Sequence, residues 1–171
     1  AGMSYEQLLR KRILEPLGMN DTSISLTPEQ KARMAAGYDP ALEPAKNWDF
    51  DALAGCGALR STANDLLKFL AANLELTDTP LKAALRRMRS VRHETDVPDT
   101  DVMMAWHAYK KYGTEIVWID GKTGGFWSFM GFDPATRRGA VVLANTYLDI
   151  DDIGLHAINE QWPAKSLEPP K

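Results

Sequence analysis

Lys122 and Thr123 stand between Gly121 and the pair Gly124–Gly125 in the stretch WIDGKTGGFWSFMGF, Trp118 to Phe132. An ammonium, a hydroxyl and three glycines so close together could cradle a phosphate, form a tight turn, or line a strand beside a reacting carbonyl. A phosphate loop needs a glycine five residues ahead of the G-K-T glycine, with a helix behind it whose amino terminus holds the anion. Position 116 is Ile116 and GGFWSFMGF reads as strand, which argues against a phosphate loop. The glycine-rich hairpin turn and the active-site strand both stay open on local sequence.

Other reactive side chains have plainer readings. His93 lies among charged loop residues, His107 sits in a strand beside Trp106, and His156 falls in the last helix; none has metal-ligand spacing, so each is read as structural. Asp96, Asp99 and Asp101 around Pro98 read as a solvated loop rather than a cation site. Cys56, the one cysteine, lacks a histidine nearby and reads as a small buried side chain. Ser128 lacks the G-x-S-x-G elbow of a strand-borne nucleophile. No metal and no organic cofactor is implied.

These residues must be positioned by helices first and strands later. Ser4 and Gln7 form a capping box, Met3 and Leu8 fit a hydrophobic staple, and Leu9, Ile13 and Leu17 carry the stripe until Pro16 and Gly18 stop the helix near Glu15. TPEQ at Thr27 repeats the start signal for a short helix to about Ala35. The stretch 37–57 holds Pro40, Pro44 and Trp48 without a clear period and reads as a long loop of the kind that borders a cleft. Thr62 and Asp65 open the clearest helix, with Ala63, Leu66, Leu67, Leu70 and Leu74 on one face; Leu81, Leu85 and Met88 mark the next, whose basic residues read as a solvated face. After Pro98 come VMMAWHAYK, GTEIVWID, FWSFMGFD and GAVVLANTY, short aromatic or β-branched runs that read as consecutive antiparallel strands, with a hairpin connection from Asp133 to Gly139. Asp149 to Asp152 supply the acidic first turn of a closing helix, Ile150 to about Trp162. The expectation is an α+β chain: a mainly helical segment over 1–98, and antiparallel strands plus a closing helix over 99–171, together part of one larger domain.

Composition sets the outer limits. With 44% hydrophobic and 25% charged residues, 171 residues can bury a core. A net charge of −3 gives no footprint for nucleic acid, and no apolar run approaches the roughly 18 residues of a transmembrane helix. The chain opens on Ala1 and enters a helix at once, so it is expected to be the latter part of a longer polypeptide.

Taken in order, GMSYEQLLRKRILEPLGMNDT, GALRSTANDLLKFLAANL and VWIDGKTGGFWSFMGFDPATRRGAVVLANT resemble the carboxy-terminal half of the serine β-lactamase and penicillin-binding-protein-like hydrolases. The likeness is to the class C β-lactamase, D-aminopeptidase and esterase branch. It implies an antiparallel sheet covered by helices and a bacterial enzyme that transfers an acyl group from an amide, β-lactam or ester to a serine. Of the family's three motifs only the late one, H-x-G-x-T-G-G or K-T-G, is here. No serine is followed by lysine at the third position, and no tyrosine or serine by asparagine two places on, so this chain alone should be inactive.

Aligned on T-G-G-F, the resemblance places Thr123, Gly124, Gly125 and Phe126 on the end of that motif and Gly121 on its small position, all five on the substrate side. Lys122 falls on the residue whose backbone N–H helps form the oxyanion hole. Ile119 stands where relatives carry lysine or histidine, which puts binding of a carboxylate-bearing β-lactam in doubt. A second register would make Lys122-Thr123-Gly124 the K-T-G itself, at the cost of the T-G-G-F match. The resemblance further implies a small-molecule or peptide-like substrate bordered by the Tyr38–Trp48 loop, completion by the missing amino-terminal half of the same enzyme, and export to the periplasm or beyond. A non-catalytic relative that binds peptide-like ligands or a protein partner is the alternative. A sheet deprived of neighbouring strands could also pair with another copy of itself.

Overall fold

The computed structural model describes residues 2–167. Its amino-terminal helix is longer than the proline suggested: α1 (Tyr5–Leu9) passes through a π turn (Arg10–Leu14) into α2 (Glu15–Leu17). Pro16 cannot donate to a carbonyl one turn back, and the widened turn before it accommodates that loss, so the helix ends only at Gly18, left-handed at φ 65. Both capping boxes form, Ser4 with Gln7 and Thr27 with Gln30, the latter opening α3 (Pro28–Arg33).

The stretch 37–57 is a long connection with its own short elements, a Tyr38–Pro44 bridge, a 3-10 turn (Asp51–Leu53) and α4 (Ala54–Gly57). Cys56 lies exposed on that single surface turn and not buried as its type suggested, because α4 has no apolar face to dock. Next come α5 (Ala63–Asn73) and α6 (Lys82–Ser90). The buried face of α5 is not the one drawn from its leucines: Leu67 is exposed, while Asp65, Leu70, Ala72 and Asn73 are buried. Asp65 accounts for much of the shift, accepting from the Asp21 N–H (2.8 Å), the Thr22 hydroxyl (2.9 Å) and the Lys68 ammonium (2.7 Å), and so pinning the segment after α2 to α5.

Six strands follow in a purely antiparallel sheet of sequential order: β1 (Arg92–Glu94), β2 (Thr100–Met103), β3 (Trp106–Lys111), β4 (Thr114–Thr123), β5 (Phe126–Asp133) and β6 (Arg138–Ala144). The sheet thus begins at Arg92, ahead of Pro98, and VMMAWHAYK is two strands with a turn at Met104–Ala105 rather than one. Asp101 is 3% exposed, not solvated, because Arg92 (3.0 Å) and Lys110 (2.7 Å) neutralise it from the flanking strands. The closing helix α7 (Asp151–Ile158) is shorter than expected, as Asn159 leaves the helical conformation and bonds Thr114.

Alternation along the strands divides the core in two. Met103, Trp106, Ala108, Val117 and Phe132 pack with Leu70 of α5 and Leu74 just past its end, joined by Ile119 and Met130. Ile116, Trp118 and Phe129 face the other way, against Leu155 and Ile158 of α7. Gly154 permits this second contact, since a methyl group there would run into the Phe129 ring.

Candidate active-site strand

The two longest strands form a hairpin whose turn is Gly124–Gly125, with Thr123 opposite Phe126, Lys122 opposite Trp127 and Gly121 opposite Ser128. In an antiparallel ladder, hydrogen-bonded pairs alternate with pairs whose amides point outward. Thr123 and Phe126 flank a two-residue turn and exchange the first bonds, so the odd-numbered residues of β4 bond β5 and the even-numbered ones face β3. The other edge agrees: Lys111 and Thr114 flank the Tyr112–Gly113 turn, and the β3–β4 ladder runs from there to His107 opposite Trp118, where it ends. Asp120 and Lys122 therefore direct their N–H groups past the end of β3, to a margin with no strand on it among the described residues. The Lys122 amide lies outside the hairpin's own ladder.

The hairpin tip is fixed by the long connection. The Tyr38 N–H donates to the carbonyls of Gly125 (3.3 Å) and Asn145 (3.0 Å), and the Asn145 amide returns to the Ala36 carbonyl at 2.8 Å. Side chains would obstruct this contact. A methyl at Gly124 would collide with the Lys46 carbonyl, and one at Gly125, itself at φ 79, would come within 2.7 Å of Gly37 and Tyr38. The Phe126 ring covers Gly37 in turn. Gly124, Gly125 and Phe126 thus make their close approaches to the chain's own loop, and Trp48 lies against Gly124. Gly121 is constrained differently, with the Ser128 hydroxyl 3.0 Å from where a Cβ would sit. Thr123 rests against Gly57 of α4, and its hydroxyl has no hydrogen bond to a described residue.

Side chains around this margin split by face. Ile119 belongs to the α5 side, among apolar neighbours. On the α7 side the Lys122 ammonium sits over two aromatic rings, 5.0 Å from the Trp127 centroid and 4.5 Å from that of Tyr147. Trp127 donates its indole N–H to Asp151 in the first turn of α7 (3.0 Å). Burial, with the charges of Asp120, Asp149 and Asp152 adding to it and the Trp127 bond opposing, raises the Asp151 carboxyl to about 6. Burial first, and then the charges of Asp151 and Asp120, raise the Tyr109 hydroxyl. The influence of Asp120 on Asp151 was not legible beforehand: the two are 31 positions apart, and the acidic run of α7 reads first as helix capping.

His93 is exposed on β1, His107 lies against Trp118 on β3, and His156 of α7 is bonded to the Trp162 carbonyl (2.6 Å). Among the described residues no cluster of three or more His, Cys, Asp or Glu could hold a metal ion, and no helix is long and apolar enough to cross a membrane.

A family model described as Beta-lactamase matches residues 1–159. The chain is 31% identical to "Putative beta-lactamase-like 1" of Homo sapiens over 167 residues, which cover 94% of this chain and 33% of the relative. It is 29% identical to "Unguisins hydrolase ungD'" of Aspergillus campestris, over 81% of this chain and 28% of that one. In three dimensions it is similar to a β-lactamase/D-alanine carboxypeptidase from Pseudomonas syringae, with a TM-score of 0.82, 22% identity, and coverage of 98% of this chain and 55% of the other. The chain spans about a third of these curated relatives and about half of the solved structure. Relatives in human and fungus as well as bacteria give the family no single kind of source.

Proposed function

Because this chain belongs to the β-lactamase family and has its antiparallel, helix-covered fold, we propose that it is the carboxy-terminal portion of a serine hydrolase that works through an acyl-enzyme. The substrate is an amide, β-lactam or ester, and the chain supplies the strand that stabilises the oxyanion. One observation carries the reading: among the described residues the Lys122 N–H has no partner and lies at an open sheet margin, while its neighbours in sequence are held in the ladder.

Attack by a serine on a carbonyl moves the π electron pair onto oxygen, and a fixed N–H aimed at that oxygen strengthens its bond as charge develops. One such donor is worth about 3 kcal/mol, or about a hundredfold in rate. The strand holds it without reorganisation, because β5 fixes one edge and the long connection fixes the tip. The free Thr123 hydroxyl beside it can bond a substrate carbonyl or carboxylate. The nucleophile and the proton-transfer groups belong to S-x-x-K and Y-x-N segments that this sequence does not contain, so collapse of the tetrahedral intermediate and hydrolysis of the acyl-enzyme depend on them. Apolar Ile119 at the motif's lysine or histidine position withholds a cation, which favours ester and neutral amide substrates over anionic β-lactams.

Ile119 also supports a second reading, a relative that binds peptide-like ligands or a protein partner without turnover. One experiment separates the two. A chromogenic ester, a D-alanyl anilide and a chromogenic cephalosporin are assayed with the 171-residue chain and with its gene product including any upstream S-x-x-K and Y-x-N. Turnover confined to the longer protein, with a covalent acyl adduct on its serine, is expected. An upstream region lacking both motifs, or a longer protein that binds these compounds without an adduct, would favour the second reading. The β6 margin, which carries Val141 and Leu143 without a strand beyond it among the described residues, is where this reading docks the rest of the enzyme or a second copy. Export from the cytoplasm is part of the same proposal, tested by fractionation of the native host.

A further inference from the structure

Asp120 and Lys122 are the two residues of β4 that turn their N–H groups to the margin left where β3 ends. Two residues of strand separate them, about 7 Å, so Asp120 stands beside whatever is attached to a carbonyl bound at the Lys122 amide. Its side chain takes the same face of β4 as Trp118, the face turned to α7. There β5 places Phe129 opposite it, but on the other side the last pair between β3 and β4 is His107 with Trp118, and no residue of β3 stands opposite Asp120. The side chain is uncovered toward the margin itself.

No cation of the chain takes up this charge. Asp120 is half-buried, and among the described residues its carboxylate accepts no hydrogen bond and forms no ion pair; neither oxygen is buried without a partner, so both keep accessible surface. Lys122, its neighbour on the same face, leans the other way, with its ammonium over the Trp127 ring of β5 and the Tyr147 ring beyond β6. His107 keeps its ring against Trp118. The field of Asp120 is felt by acids instead. Burial first, and then Asp120 ahead of the other acids, raise Asp151 against the opposing Trp127 bond. On the α5 face the margin offers apolar Ile119.

A fixed N–H for a carbonyl, with an un-neutralised carboxylate two residues along the same margin, discriminates by the charge of the group next to that carbonyl. A cation there is attracted and an anion repelled. We propose that Asp120 is a specificity-determining residue of the site and that the substrate is an ester or amide carrying a cationic group, such as an ammonium, about two strand residues from the scissile carbonyl. This inference rests on the acyl-transfer reading of the Lys122 amide and narrows its substrate class. Because the charge lies beside the reacting centre, Asp120 holds substrate and transition state alike and acts on KM more than on kcat.

The test uses the longer gene product and three para-nitrophenyl esters of equal acyl length, ending after four methylenes in trimethylammonium, in tert-butyl, its neutral isostere, or in carboxylate. The cationic ester is expected to exceed the neutral one in kcat/KM by about fivefold, mostly through KM, and the carboxylate ester to fall below both. Asp120→Asn should bring the cationic and neutral esters level. Asp149→Asn removes the same unit of charge nearby while keeping an acceptor for the Asp151 N–H (3.0 Å), and it should leave the order intact. Turnover of the esters without this order, or an order that survives Asp120→Asn, would overturn the proposal and leave the acyl-transfer reading standing. Equal loss of the order in Asp149→Asn would overturn it too, since net charge and not Asp120 would then select. No turnover of any ester would overturn the acyl-transfer reading, and this inference with it.

Discussion

Lys122 and Trp127 oppose each other across an outward-facing position of the β4–β5 hairpin, with the ammonium of one 5.0 Å from the ring centroid of the other. The backbone and side chain of Lys122 therefore have separate surroundings, its amide at the open margin and its charge over the aromatics on the α7 face. Hydrogen exchange in the 171-residue chain should show that separation. The amides of Asp120 and Lys122 are expected to exchange quickly while those of Ile119, Gly121 and Thr123 are protected by β5. Protection of Lys122 equal to that of Thr123 would place it in the ladder after all.

The two turn glycines should be intolerant for a reason internal to the chain. Gly124→Ala drives a methyl into the Lys46 carbonyl, and the backbone on both sides is held, so a loss of more than about 2 kcal/mol in denaturant unfolding is expected. Gly113, at φ 72 in the neighbouring turn with open space around it, is the control. Gly113→Asn keeps a residue tolerant of that conformation and should cost less than about 1 kcal/mol. Equal effects at the two sites would mean that the Lys46 contact does not constrain the tip.

Two aspartates should give pH dependences of opposite sign. Asp151 has its carboxyl raised to about 6 in the folded chain, by burial first and neighbouring acids after it, so its ionisation opposes folding at any pH above that value. Asp151→Asn keeps an acceptor for Trp127 and is expected to stabilise by about 1 kcal/mol at pH 7.5, a figure discounted for its partial exposure. The gain should vanish as the pH falls below the ordinary aspartate range. Asp101 is held below its usual range by Lys110 and then Arg92, so its contribution is present at neutral pH and is lost on acidification. Asp101→Asn should lower the melting temperature at pH 7 and converge on the parent in acid. Parallel curves for either pair would contradict these assignments.

What could be read beforehand followed from local signals with one strong meaning. Ser4–Gln7 and Thr27–Gln30 announce helix starts because each pair can satisfy the other's free donors, and the β4–β5 hairpin shows in its glycines and aromatic runs. The turn at Met104–Ala105 was invisible because Ala105 adopts φ 60 without a glycine or asparagine to signal it. Asp65 reads as a helix cap and becomes a buried tertiary acceptor through partners more than 40 residues away. At the candidate site the six residues Gly121 to Phe126 lie along one hairpin, with Gly124 and Gly125 as its turn. Sequence could not show that Gly124, Gly125 and Phe126 press on the long connection, because that contact joins segments some 80 residues apart, nor that the charge of Asp120 would reach Asp151.

The most direct test concerns a single atom. In the longer enzyme proposed to carry this chain as its carboxy-terminal part, the peptide bond between Gly121 and Lys122 is replaced by an ester through semisynthesis, which removes the Lys122 N–H and leaves every side chain, and Lys122→Met is made beside it. The expected result is a fall in kcat/KM of about a hundredfold for the ester, with the Met variant within about threefold of the parent, since losing the ammonium leaves the donor in place. An ester variant as active as the parent, or a Met variant as impaired as the ester, would contradict the assignment of the Lys122 amide to the oxyanion.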